Sequence, residues 1–299
     1  MKGDVLAATR PGIGGAAETA QSAHLWVGDH LGEGGADCRV EGVPAARQKV
    51  RPDLGRQRLR RDNYTSHEQN VTSREPYTLA VSAPPTPRLL SIQVGLPQIH
   101  GTPGADDPLD RPWRTGFYKT PVAGPVRLGR TNLVGDGQAN LKVHGGPDKA
   151  VLGYAASHYP AWREELGMPD LPYGGFGENF TITFLNEGNV CLGDIYTIGT
   201  ATVEVSQPRR PCANITHRWR LPGLMERVGA TGRHGWYLRV LEEGEVSPGE
   251  PLTRLERPCP EWTIARAFHV MSHRSRMAED AASLARVPAL AQSWREQLA

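Results

Sequence analysis

The sequence predicts a mainly β (α+β) fold: a β-barrel with peripheral helices, followed by a small helical C-terminal domain. Three observations predict it. The 299 residues include 34 Gly and 25 Pro, which suits short strands joined by turns rather than a helical bundle. From Leu89 onward, short runs rich in β-branched and aromatic residues recur between glycines and prolines, the mark of antiparallel strands. After Arg257 the composition turns helical.

In chain order, residues 1–87 are expected to be a disordered extension and linker. They show no sustained apolar period and end in Ala83-Pro84-Pro85-Thr86-Pro87; such a composition buries too little to offset chain entropy. Residues 88–257 are expected to form the β domain. Its strand candidates are Leu89–Val94, Ala150–Tyr154, Phe180–Phe184, Asp194–Ile198, Ala201–Ser206, Trp236–Leu241 and Leu252–Leu255. Thr202 to Ser206 alternates cleanly, so Val203 and Val205 are expected to share the core face. A helix is expected over Ser157–Leu166, stopped by Gly167 and Pro169, with Pro160 in its first turn. Residues 258–299 read as a small helical domain, with helical runs at 263–268, 277–284 and 294–298. It is too short to fold without docking on the barrel.

Charge and composition exclude several classes. A formal net charge of +2 creates no field suited to a nucleic-acid polymer or a membrane surface. No run of about 18 apolar residues is present for a membrane span. The four cysteines, at 38, 191, 212 and 259, form no CxxC pair and are expected to be free thiols in a reducing compartment. The first residues lack a charged-then-apolar leader pattern, so a cytoplasmic location is expected.

Three segments carry chemistry. In Ser206-Gln207-Pro208-Arg209-Arg210-Pro211-Cys212, two prolines restrict a loop that leaves an alternating strand. Cations beside Cys212 favour a thiolate, which is both a soft metal ligand and a nucleophile. Arg209 and Arg210 suit bidentate binding of a phosphate. Taken alone, a single cysteine is more often a buried small hydrophobe. The second segment, Gly135 to Val151, reads GDGQANLKVHGGPDKAV. Its glycines allow close approach to the main chain, and His144, Asp148 and Lys149 supply polar groups. Turn and site fit it equally well, and it matches neither a Walker loop nor a dinucleotide fingerprint. The third, Tyr173 to Phe180, enters a strand through three glycines. Glu178 there is a general acid or base if buried, or a turn-capping carboxylate. His158, Tyr159 and Trp162 on the expected helix are read as packing residues, and Cys191 as a buried strand residue.

Six blocks together resemble the MOSC family, in its YiiM-like branch: GDGQANLKVHGGPDKAV at 135–151, HYPAW at 158–162, FGENF at 176–180, GDIYTIG at 193–199, VSQPRRPC at 205–212 and GWYLRVLEEGEVSPGEPL at 235–252. They follow the family's order and span nearly all of residues 88–257; VPALAQSWREQL at 287–298 resembles the branch's three-helix tail. The resemblance implies a MOSC-type β-barrel that binds the pyranopterin molybdenum cofactor, with Cys212 as the molybdenum ligand. It implies reduction of small N-hydroxylated compounds, such as hydroxylaminopurine-like bases, with electrons from an external electron-transfer protein or reductase. Under it, Arg209 and Arg210 are expected on the cofactor's phosphate, and Lys149, His144 and Asn179 at further cofactor or proton-delivery positions. Two other readings stand beside this one. One is a sulfur carrier with a Cys212 persulfide; the other is a non-catalytic module binding cofactor or partners.

Overall fold

The computed structural model describes residues 85–299; the expectation of a disordered stretch over 1–84 lies outside the described residues. The first half supplies strands β1 Leu89–Val94, β2 Gln98–His100, β3 Trp113–Thr115, β4 Thr120–Pro121 and β5 Val126–Leu128, then α1 Leu141–His144, β6 Val151–Ala155, α2 His158–Leu166 and β7 Phe180–Ile182. There follow β8 Ile195–Ile198, β9 Ala201–Pro208, α3 Asn214–Trp219, α4 Leu224–Thr231, β10 Trp236–Glu242, β11 Gly244–Val246 and β12 Thr253–Glu256. Three helices end the chain: α5 Ile264–Ser272, α6 Ala278–Ala285 and α7 Gln292–Leu298.

One eight-stranded sheet runs in the order β12-β8-β9-β10-β6-β7-β1-β4. Its neighbours pair antiparallel except β6 and β7, which are parallel and need a crossover; α2 and the glycine loop after it provide that crossover. The sheet curls until its ends approach. Leu89 N donates to Glu250 O at 2.9 Å and Leu252 N to Pro87 O at 2.8 Å, joining β1 to the chain that enters β12. The interior fills with alternate residues: Val203 and Val205 are fully buried, as are Leu89, Ile92, Phe180 and Ile182. Trp262, Ile264, Val270, Leu284 and Trp294 from the C-terminal helices belong to the same apolar cluster. A second cluster around Tyr154, Tyr159, Trp162 and Phe176 seats α2, α3 and α4.

Local chemistry explains the boundaries. Helix α2 ends at Gly167, whose φ of +63° suits a residue without Cβ and whose N–H bonds the Arg163 carbonyl. Pro160 occupies the helix's third position, where no helical N–H partner is lost. Strand β9 continues to Pro208, two residues beyond the expected end. Its last bonds on the β8 side are made by Val205, to Asp194 and Gly193, and Pro208 pairs only with β10, so the missing proline N–H breaks no ladder bond. Strand β7 stops at Ile182 instead of Phe184. Phe184 adopts φ +59° in an exposed turn, and Asn189 Nδ2 holds its carbonyl at 3.0 Å. Helices α3 and α4 and the two-stranded ribbons β2–β3 and β5–β11 were not expected from the sequence. Their runs of three to eight residues are too short to declare a period.

Candidate functional site

Strand register builds the floor of the site. Tyr237 on β10 pairs with Leu152 on β6 and with Gln207 on β9. Trp236, Leu238 and Val151 point inward, so Tyr237 and Leu152 share the sheet face opposite the core; a bulge at Ser206, between the Leu238–Val205 and Tyr237–Gln207 pairs, brings Gln207 to that face as well. Two segments cover this row. One is the Gly135–Lys149 segment with α1; the other is the turn from Arg209 to Ala213.

A cavity of about 200 Å³ opens beneath them. Cys212 lines it with a half-buried thiol. The turn that presents the thiol is fixed at both ends: Arg209 N donates to Gly235 O at 3.0 Å, and Cys212 O accepts from Ile215 N at 3.1 Å as α3 begins. Arg209 is 2% exposed, lines the same cavity and makes no side-chain hydrogen bond among the described residues; its Nη1 is buried without a partner. The closest aromatic support is the Phe117 ring, 5.9 Å from the guanidinium carbon. An ion taken out of water costs several kcal/mol unless it is paired, and among the described residues nothing supplies that pairing for this guanidinium.

His144, Lys149 and Asn179 line the cavity as well. Burial, then the charges of Arg209 and Lys149, push the His144 imidazole down to about 4, so it is neutral near pH 7. Lys149 Nζ donates to Val143 O at 2.7 Å and ties down α1. Burial lowers its pKa, Asp148 opposes that shift and Arg210 adds to it. Asn179 is already occupied: its Oδ1 accepts from Leu152 N at 3.1 Å and its Nδ2 donates to Gln93 O at 3.2 Å. It positions the wall, bridging β6 to β1. Arg210 lies elsewhere. Its Nη1 donates to Gln297 Oε1 at 2.6 Å, and its guanidinium sits 5.2 Å over the Trp294 ring. Five of the six expected positions thus share one cavity, and Arg210 faces a second hollow.

The third segment splits in the same way. Glu178 is fully buried and accepts from the Tyr159 hydroxyl, Gly174 N at 2.7 Å, Phe176 N at 3.2 Å and Thr181 Oγ1 at 3.0 Å. It ties the glycine loop together and does not line the cavity. His158 Nε2 bonds Glu187 at 2.6 Å, Tyr159 and Trp162 are fully buried, and Cys191 is 1% exposed.

Sequence reasoning missed Lys119, Arg114 and Tyr237, which also line the cavity. Lys119 forms a buried ion pair with Asp136, and burial lowers its pKa against that attraction. Burial pushes the Tyr237 phenol up to about 12, with Arg209 opposing, so it keeps its proton. A Cβ on Gly116 would lie 2.1 Å from Gly137 O, so glycine lets the segment that carries Lys119 pack its backbone against the Gly135–Lys149 segment. Among the described residues no three His, Cys, Asp or Glu side chains gather into a metal site. No helix there is long and apolar enough to cross a membrane.

Comparison with known proteins fits this geometry. Residues 140–253 match the MOSC domain and residues 262–299 the YiiM-like, 3-alpha helix domain. The uncharacterized protein YflK of Bacillus subtilis is 41% identical over 207 residues, which are 69% of this chain and 90% of that protein. The chain is a member of the YiiM-like MOSC family. The crystal structure of YiiM from Geobacillus stearothermophilus superposes with a TM-score of 0.59 at 39% identity, covering 71% of this chain and 97% of that one. A protein of Gibberella moniliformis named reductase is 40% identical over 164 residues; they are 54% of this chain and 29% of that protein. The MOSC domain is related to the C-terminal domain of molybdenum cofactor sulfurases. In this YiiM-like chain, the matched MOSC residues include His144, Lys149, Asn179, Arg209 and Cys212.

Proposed function

We propose that this cavity holds the pyranopterin molybdenum cofactor and that the protein reduces small N-hydroxylated compounds with electrons from an external protein donor. The observation that carries the reading is the unpartnered buried guanidinium of Arg209 lining the same cavity as the half-buried Cys212 thiol. An anionic cofactor that needs a sulfur ligand satisfies both. When bound, the cofactor supplies two-electron reduction with removal of an oxygen atom.

The chain's own residues do the rest. Arg209 and Lys149 bind the cofactor's phosphate, the guanidinium offering paired donors and the ammonium a point charge. The Cys212 thiolate is a soft ligand for molybdenum. His144, neutral near pH 7, has one donating and one accepting ring nitrogen and holds polar groups without adding charge. Tyr237 keeps its hydroxyl proton and donates it in a hydrogen bond to a substrate oxygen. No residue lining the cavity is a carboxylate, so it favours neutral or anionic guests over cationic ones.

The test is molybdenum and pterin analysis after expression in a cofactor-producing host. The wild type is expected to contain both, and Cys212→Ala to lose molybdenum while retaining pterin. Wild-type protein free of both but carrying cyanide-releasable sulfur would replace this reading with the persulfide carrier.

A further inference from the structure

The Cys212 thiol stands between two hollows. The second, of about 350 Å³, lies between α1, the Arg209–Ala213 turn and α7 of the C-terminal helices. It shares His144, Lys149, Cys212 and Tyr237 with the first, so a molecule in either reaches the same sulfur. Ser293, Trp294 and Gln297 of α7 form its far wall.

Two independent features characterise it. Gln207, on its floor, is 2% exposed; its Nε2 donates to Pro208 O at 3.2 Å and its Oε1 is buried without a partner. That oxygen awaits an N–H or O–H donor, since a buried acceptor left unpaired costs about 1–3 kcal/mol. The charge is one-sided as well. Lys142, Lys149 and Arg210 line the hollow, and among the described residues no carboxylate does. Asp148, next to Lys149 in sequence, is held by Arg239 at 2.8 Å.

We propose that this second hollow is the substrate site, and that it selects a small molecule with an N–H or O–H donor at one end and a phosphate, phosphonate or carboxylate at the other. The donor end meets Gln207 Oε1 near Cys212, and the anionic end meets Arg210 and Lys142. Helix α7 is then part of the specificity surface: Gln297 orients Arg210 through their 2.6 Å bond, and Trp294 supports the guanidinium from below. The assignment rests on the cofactor reading for the first cavity. It also explains why the adjacent arginines face different hollows.

The test uses a matched probe pair, acetohydroxamate and phosphonoacetohydroxamate, which differ by one phosphonate. Each is titrated calorimetrically into the full chain purified from a cofactor-producing host. The phosphonate probe is expected to bind about tenfold tighter or better, as charge-assisted bonds to two cations require. In Arg210→Gln and in Lys142→Gln, a change at an exposed side chain, that advantage falls to about threefold or less, while molybdenum content stays at the wild-type level. Equal binding of the two probes overturns the proposal. So does an advantage that survives both variants but disappears in Arg209→Met, because the anion then occupies the first cavity. Inorganic phosphate alone binding as tightly as the phosphonate probe marks a free-anion site and also overturns it. Metal analysis of the same preparations separates the two claims: protein without molybdenum that still shows the charge-dependent advantage sinks the cofactor reading, and with it the role as substrate site, while the hollow's selectivity for an anionic ligand stands.

Discussion

Glu178 and Arg209 are both ionisable, both nearly or wholly buried, and both in segments that the sequence marks as chemical. Their surroundings are opposite. Glu178 accepts from two backbone N–H groups and two hydroxyls, whereas among the described residues the Arg209 side chain has no hydrogen-bond partner and its Nη1 is orphaned. A buried charge whose hydrogen bonds close within the protein is part of the scaffold. One whose bonds do not close among the described residues leaves a place for a water or a ligand to close them.

The largest expected effect breaks the scaffold half of that comparison. Glu178→Ala leaves four buried donors unsatisfied and is expected to lower unfolding free energy by about 3–5 kcal/mol, read from a urea midpoint. A loss below about 1 kcal/mol would mean the loop repacks and the carboxylate is not structural. Asn179→Leu comes next. It removes the bridge between β6 and β1, and is expected to cost about 1–3 kcal/mol, although Asn179 lines the cavity. Equal stability with lost cofactor would move Asn179 from wall to ligand contact.

A smaller effect comes from His144. Its folded pKa, about 4, lies below the usual histidine value of about 6.5, so the folded state binds fewer protons between those values. Stability therefore falls as pH drops from about 6.5 towards 4. In Arg209→Met, with the neighbouring cation gone, the His144 titration followed by NMR is expected to move upward. An unchanged midpoint would show that Arg209 contributes nothing and that burial and Lys149 set it.

Much of this arrangement was legible in the sequence. Cys212, His144 and Lys149 stand out because glycines and prolines crowd around them, and such loops bring backbone and polar groups together. The strands with clean alternation were equally readable, and Val203 and Val205 point inward as their pattern says. Other features had no local signature. Arg209 and Arg210 are neighbours of identical chemistry, and what separates them is distant in sequence: Arg209 N bonds Gly235 O beside the cavity, while the Arg210 guanidinium meets Gln297 and Trp294 of α7. Tyr237 reads as one aromatic in an alternating strand; the covering loops, not its own sequence, make it a floor residue. Lys119 follows a three-residue strand too short to announce itself, and its partner Asp136 lies in another segment.

The most direct measurement pairs stability with cofactor content in Arg209→Met. With no side-chain hydrogen bond to lose among the described residues, the variant made without cofactor is expected to unfold at the same or higher urea concentration than wild type, because an apolar side chain replaces an unpaired buried charge. Made in a cofactor-producing host, it should retain about tenfold less pterin or lower still. A variant as destabilised as Glu178→Ala, yet holding its full complement of pterin, would show that the guanidinium serves the fold and that the cavity was not shaped around an anion.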